Sequence, residues 1–291
     1  MWNTPVLIFL TLSMLMFGSC SSYDVKEPPL KIGVVSWVGY YPLFYASEKG
    51  WLKNSNIELI EMNSLHENLQ MFTHGYVDVI FGTQYEYYLL LEKYDDIKLL
   101  KYLDKSNGGD MLLSNRTIAE LQKSKHITVY LEINSVNRLV LLDFMNTYGI
   151  SKNNVTLVDE VQLHINSAEL AEDDGDIAII SYVPYNYVHE KNGFSELLST
   201  KSAPLLVMDV MIARDGIINN HKKQIADLKI IIDHAIQIAN DQPTEFYKTI
   251  SNVIPISKND YDNSISSIMW INRTISKEIS NDLKSRNLIE H

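Results

Sequence analysis

Short apolar runs alternate with amphipathic stretches from residue 30 onward. Leu30–Val35, Ile57–Ile60 and Val77–Phe81 are compact runs rich in β-branched residues, and they predict buried strands. The stretches between them predict helices with recognisable ends. Pro42 opens one and Gly50 closes it, because proline presets the helical φ and glycine tolerates the turn that stops it. Ser64 with Glu67, Thr83 with Glu86, and Thr117 with Glu120 have the spacing of capping boxes, which satisfy free N–H groups at a helix start. Leu65, Leu69 and Phe72 share one helical face that Gly75 ends, and the helix after Thr83 is predicted to reach about Leu91.

The alternation continues. Strands are predicted at Ile97–Tyr102, Asp110–Leu113, Ile127–Tyr130, Val155–Val158, Asp176–Ile180 and Leu205–Ala213. A striped helix from about Val136 to Thr147 stops at Gly149, and Pro184 begins a short one. From Asn219 the chain reads as mainly helical, with Ile225, Leu228, Ile232, Ala235 and Ile236 on one face. Strands alternating with helices predict an α/β fold with mostly parallel sheets. No internal repeat or low-complexity tract interrupts it.

The first 29 residues follow another logic. Val6–Phe17 is an apolar run of twelve, too short to span a bilayer comfortably and of the length found in secretory signals. Gly18-Ser19-Cys20 follows and resembles a bacterial lipobox. That resemblance implies a signal peptide over 1–19 and lipidation of Cys20 as the first mature residue. No Lys or Arg precedes the run, and Phe17 stands where Leu is commoner, so the match departs from the pattern there. Residues 20–29 are polar, aperiodic and end in Pro28-Pro29, which reads as a linker from the lipid to the folded body. The expected location is the cell envelope, on the periplasmic or outer face of a membrane.

Composition narrows the function. The 291 residues carry a formal net charge of -11, which argues against a nucleic-acid surface, since that needs clustered Lys and Arg. Cys20 is the single cysteine, so an internal disulfide and a cysteine metal site are both excluded. No His-x-x-x-His, Gly-x-Ser-x-Gly or phosphate loop is present, and neither a metal nor a cofactor is expected.

Several segments, taken in order, resemble the substrate-binding proteins of the nitrate, sulfonate, taurine and thiamine-precursor group of ABC importers. Ile32-Gly33-Val34, an aromatic loop and Ala46-Ser47-Glu48-Lys49-Gly50 resemble that group's leading signature. Gly75-Tyr76-Val77-Asp78-Val79, Asn107-Gly108-Gly109-Asp110, Val183-Pro184-Tyr185 and Val207-Met208-Asp209-Val210 follow in the family's order. Asp174-Gly175-Asp176-Ile177-Ala178 echoes a further motif with altered spacing. The resemblance implies a two-lobed, type II periplasmic-binding-protein fold with two crossing strands. Lobe 1 would hold 30–112 and 206–291, lobe 2 would hold 113–205, and a hinge would close them on a ligand.

Ligands of open α/β sheets sit beyond the carboxyl ends of strands, near helix N-termini. That rule selects Ser36, Trp37, Tyr40 and Tyr41, then Ser64 and His66, then Gly82, Thr83 and Gln84. In the second lobe it selects Glu132, Asn134, Ser135 and Asn137, then Ser181, Tyr182 and Tyr185, with Asp110 at the crossing. Ser64 and Thr83 also serve as caps, Asp110 and Glu132 as structural acceptors, and the aromatics as packing between lobes. Of the cations, Arg138 is placed to meet an anion. An aromatic and acidic cleft suits a neutral or cationic nitrogenous solute. Two partners remain open, an ABC permease and a membrane sensor, with catalysis in the same cleft as a third reading. The body is expected to be a monomer.

Overall fold

A computed structural model describes residues 28–203 and 205–271. The expected signal peptide over 1–19, the lipidation site Cys20, most of the 20–29 linker and residues 272–291 of lobe 1 lie outside the described residues.

Two sheets organise the chain. The strands are β1 (Leu30–Val35), β2 (Ile57–Met62), β3 (Val79–Thr83), β4 (Ile97–Ser106), β5 (Asp110–Ser114), β6 (Ile127–Leu131), β7 (Val155–Asp159), β8 (Asp176–Tyr182), β9 (Ser195–Ser199), β10 (Met208–Arg214) and β11 (Ile268–Trp270). The first sheet has the order β11-β4-β10-β3-β1-β2 and the second β7-β6-β8-β5-β9. Helices pack against the sheets, giving the expected two-lobed α/β architecture.

The sheets are mixed where mostly parallel ones are expected. Each keeps a parallel core, β2-β1-β3 in the first and β7-β6-β8 in the second. The strands next to the crossings, β10 and β5, pair antiparallel with their neighbours. Each enters its sheet from the opposite lobe, so it runs against strands that are fed by local helices. Residues 110–112, expected in the first lobe, pair in the second sheet through β5. The short strands β9 and β11 escape the sequence reading, since Ser195–Ser199 and Ile268–Trp270 have too few apolar positions to show a period.

The predicted helix ends hold. Pro42 sits in the first turn of Tyr41–Glu48, and Gly50 takes a left-handed φ of 71° where the next short helix begins. Gly149, at φ 67°, caps Asn137–Tyr148. Thr83 with Glu86 and Thr117 with Glu120 form full capping boxes. Ser64 accepts from the Glu67 amide, but Glu67 reaches past it to the Asn63 amide at 2.8 Å. The Pro184 helix begins later, at Asn186, after a cis Val183–Pro184 bond. The face of Lys222–Asp241 predicted to be apolar is the buried one.

Two crossings join the lobes, 107–109 outward and 200–207 back. Ser106 N donates to Val207 O at 3.0 Å, and Ser106 Oγ lies 2.7 Å from Thr200 Oγ1. Gly108 N also donates to Thr200 Oγ1, at 2.8 Å. The crossings are therefore bonded to each other where a hinge would bend.

One buried side chain ties the front of the first sheet together. Asn68 Nδ2 donates to Gly33 O at 3.1 Å and to Phe81 O at 2.8 Å, bridging β1, β3 and the helix Leu65–Thr73. Gly33 leaves the space, since a Cβ there would lie 2.1 Å from Asn68 Oδ1. Asn68→Ala removes both bonds at a fully buried position. Urea denaturation is expected to show a loss of about 2 kcal/mol; a variant as stable as the parent would rule out this bridge.

Candidate functional site

The site lies where the ends of β1, β3, β4 and β10 meet the ends of β5, β6 and β8. The loop after β1 begins with Trp37, then makes a single 3-10 turn over Val38–Tyr40. Trp270 of β11 pins that turn by donating from Nε1 to Gly39 O at 3.0 Å. Trp37 is buried and meets Tyr182 of the other lobe edge to face, with ring centroids 5.9 Å apart. Two glycines make room for its ring. A Cβ on Gly109 would lie 2.5 Å from its Cη2, and one on Gly39 would lie 2.4 Å from its Nε1. The aromatic loop predicted to line a cleft thus reaches across it.

Carboxylates surround this contact. Asp104 and Asp209 are register partners on β4 and β10, and both are buried. Tyr40 donates its hydroxyl to Asp209 Oδ1. Asp110 begins β5 and donates its amide to Ser106 Oγ at 3.1 Å. Glu86 lies in the helix capped by Thr83. Glu132 follows β6, accepts from Tyr182 OH at 3.4 Å and accepts from Leu65 N of the opposite lobe at 3.3 Å. All five are at most 4% exposed.

Trp37, Tyr40, Thr83, Asp110 and Tyr182 enclose a small cavity, with Asp209, Val35, Leu65 and Val136 completing it. Its volume is about 20 Å³, room for roughly one water-sized group. A wider groove of about 480 Å³ lies between Ser36, Glu61, Tyr185, Lys191 and Asp260, among others.

Burial dominates the electrostatics, because a carboxylate taken out of water without a cation favours its neutral form. Burial pushes Asp110 up to about 6 and Glu132 up to about 7, each against hydrogen bonds that favour the charge. Glu86 is raised by burial, with the amides of Thr83, Glu86 and Val136 pulling it back. Asp104 and Asp209 are raised by burial first, and Asp209 also by the charge of Asp104. The ion pairs among the described residues involve other carboxylates.

The remaining predicted residues are dispersed. Ser36 lines the outer groove, as does Tyr185. Tyr41 turns away from the cavity and stacks on Tyr261, with centroids 6.4 Å apart, because it already belongs to the following helix. Ser64 is buried as a helix cap. Asn134 is exposed, and so is Arg138, which therefore brings no charge to the cavity. Ser135 closes its own turn, donating to Glu132 O and accepting from Asn137 N. Asn137 Oδ1 accepts from Glu132 N at 3.3 Å, so both side chains shape the Glu132 loop. Gln84 grips the return crossing through Leu206 O and Met208 N. Ser181 donates to Gln162 at 2.7 Å, Gly82 is buried, and His66 pairs with Gln70.

Asp104, Asp209 and Glu86 were not selected from sequence. A lone Asp inside the apolar run Leu206-Val207-Met208-Asp209-Val210-Met211 is the signal that could have found Asp209. Asp104 lies beyond the predicted end of its strand, and Glu86 was explained by its cap.

Two α/β lobes that meet over a chamber at the crossing strands have the architecture of the periplasmic binding proteins. The NMT1/THI5-like family model matches residues 37–246, and the chain belongs to that family. The periplasmic aliphatic sulphonate binding protein SsuA of Escherichia coli superposes with a TM-score of 0.68 at 12% identity, covering 90% of this chain and 91% of that one. The ligand-binding component of an ABC-type import system from Staphylococcus aureus, with zinc bound, gives 0.68 at 15% identity, covering 90% and 93%. The periplasmic nitrate-binding protein NrtA of Synechocystis PCC 6803 gives 0.65 at 13% identity, covering 81% and 69%. No curated protein sequence matches the chain. Among the described residues, no helix is long and apolar enough to cross a membrane.

The raised carboxyls fix a pH dependence. A group such as Glu132 binds its proton more tightly when folded, so its stabilising contribution is complete below pH 4.5 and is lost as pH rises toward 7. Glu132→Gln is expected to match the parent near pH 4.5 and to exceed it at pH 8 by up to about 3 kcal/mol. Urea melts at pH 4.5, 6 and 8 check this, and an equal difference at all three would refute it.

Proposed function

We propose that this chain is a solute-binding lipoprotein that closes its lobes on a small nitrogenous organic molecule and delivers it to an ABC permease. The observation that carries the reading is the chamber between the sheets, walled by Trp37 and Tyr182 and lined with unpaired carboxylates. Such walls favour amines and electron-poor rings over anions. Sulfonate or nitrate, the ligands named for two structural neighbours, would need Arg or Lys forks facing the chamber. Thr83 contacts Glu86 as a helix cap rather than as a nucleophile beside its base, and we read the protein as a carrier and not an enzyme.

In this reading the lobes divide at 107–109 and 200–207. The first holds residues from 30 and the C-terminal part, and the second holds the body between the crossings. Cys20 is the lipid anchor, 20–29 the tether, and the mature protein works as a monomer at the envelope.

A heat-shift screen with small amines, pyrimidines, taurine and nitrate tests solute capture, since a ligand that binds only the folded state raises the melting temperature. A nitrogenous solute is expected to raise it, and Trp37→Ala is expected to weaken that solute about tenfold by losing the wall. No shift with any solute, together with an empty native mass spectrum of protein purified without refolding, would overturn the reading. Separately, Cys20→Ala expressed in a bacterial host is expected to leave the membrane fraction; full retention there would refute the anchor.

A further inference from the structure

Asp110 carries a buried, unsatisfied group into the chamber. It lines the cavity at 4% exposure, and its Oδ2 has no hydrogen-bond partner. Behind it, Asp104 makes no fully formed hydrogen bond and interacts with Trp37 Nε1 and Asp209. A buried polar atom left unsatisfied is costly, and an orphaned buried carboxylate more so. Asp110 of β5 shares the cavity wall with Asp209 of β10, so the carboxylates come from both sheets and no single local cap accounts for them.

We propose that the inner chamber is a receptor for a primary ammonium group, held by Asp110 together with Asp209, which line it. The proposal rests on the solute-binding reading above and names the chemistry of the solute's buried end. A primary ammonium suits the site in three ways. It brings three N–H donors to oxygens that lack them. It brings the positive charge that none of the groups acting most strongly on these carboxylates supplies. Its size matches a cavity of about 20 Å³. A quaternary ammonium would supply charge but no donors. A bare metal ion is disfavoured, because among the described residues no three His, Cys, Asp or Glu side chains are grouped to hold one.

The groups facing the chamber carboxylates are Tyr40 from the 3-10 turn, Glu86 from the helix after β3, and Trp37, with Glu132 and Tyr182 from the second lobe. All are neutral or acidic. In the empty closed state burial therefore favours the protonated form of these carboxylates. When an ammonium enters, one proton leaves to solvent for each positive charge gained, so the charge of the chamber stays constant. Cation uptake is thus proton release, and acid expels the cation.

Isothermal titration calorimetry on the full mature chain tests this, with methylammonium, ethanolamine and putrescine as probes. Tetramethylammonium, acetamide, taurine, nitrate and zinc are the controls. At least one primary amine is expected to bind more tightly than every control, and its affinity to rise about tenfold from pH 5 to pH 6. Titration at pH 6 in buffers of different ionisation enthalpy is expected to show about one proton released per cation. Asp110→Asn and Asp209→Asn are expected to lose amine affinity at least about tenfold, while melting no lower than the parent at pH 7.5. Loss of binding in a variant that melts higher is a result a merely structural role would not produce. Tighter binding of acetamide, taurine, nitrate or tetramethylammonium would overturn the ammonium receptor and leave solute capture standing. Zinc bound more tightly than every amine, amine binding unchanged in both variants, or no proton release would overturn it too. Binding of no probe would overturn it as well, and the heat-shift screen then decides solute capture on its own.

Discussion

Five carboxylates meet at a seam between two sheets, with no ion pair among the described residues to neutralise them. Burial raises each toward its neutral form, so protons or a positive guest stabilise the seam. The rest of the arrangement answers to that constraint. Tyr40 donates to Asp209 on one side, while Tyr182 and Leu65 donate to Glu132 on the other. Gly39 and Gly109 let Trp37 lie against the acidic floor, where any larger residue would displace its ring.

The contacts across the seam are reciprocal. Glu132 of the second lobe accepts from Leu65, at the N-terminus of a first-lobe helix. Glu86 of the first lobe is influenced by the Val136 amide, at the start of a second-lobe helix. A helix N-terminus carries free N–H groups and partial positive charge, so each lobe offers the other an acceptor for a donor that would be unsatisfied if kept dry. The Ser106–Thr200 bond joins the two crossings, and Ser106 Oγ also accepts from the Asp110 amide, which ties the crossings to the chamber.

Much of the fold was legible because it is local. A capping Thr three residues before Glu, a left-handed Gly after an amphipathic stretch, and a short apolar run such as Val77–Phe81 each carry their meaning within one turn or strand. The after-strand rule selects Trp37, Tyr40, Thr83 and Tyr182, and the crossing selects Asp110; the structure places these five around one cavity. Ser36 and Tyr41 sit on the same loop but face elsewhere, since a helix begins at Tyr41 and swings it toward Tyr261. Asn134 and Ser135 follow a strand as the rule requires, but the turn that holds Glu132 uses Ser135 as an internal bond and leaves Asn134 outside.

The sequence by itself determined the alternation of strands and helices, the helix ends, the family motifs in their order and the acidic, aromatic character of the loops, because each depends on residues close in the chain. Tertiary structure alone decided that the crossing strands enter antiparallel and that Asp104 faces Asp209 in register. It also decided that Glu132 bonds to a helix of the other lobe and that, among the described residues, no ion pair forms at the seam. Those outcomes join residues up to a hundred or more positions apart, and whether a carboxylate is a solvated surface charge or a buried, protonated one depends on what folds over it.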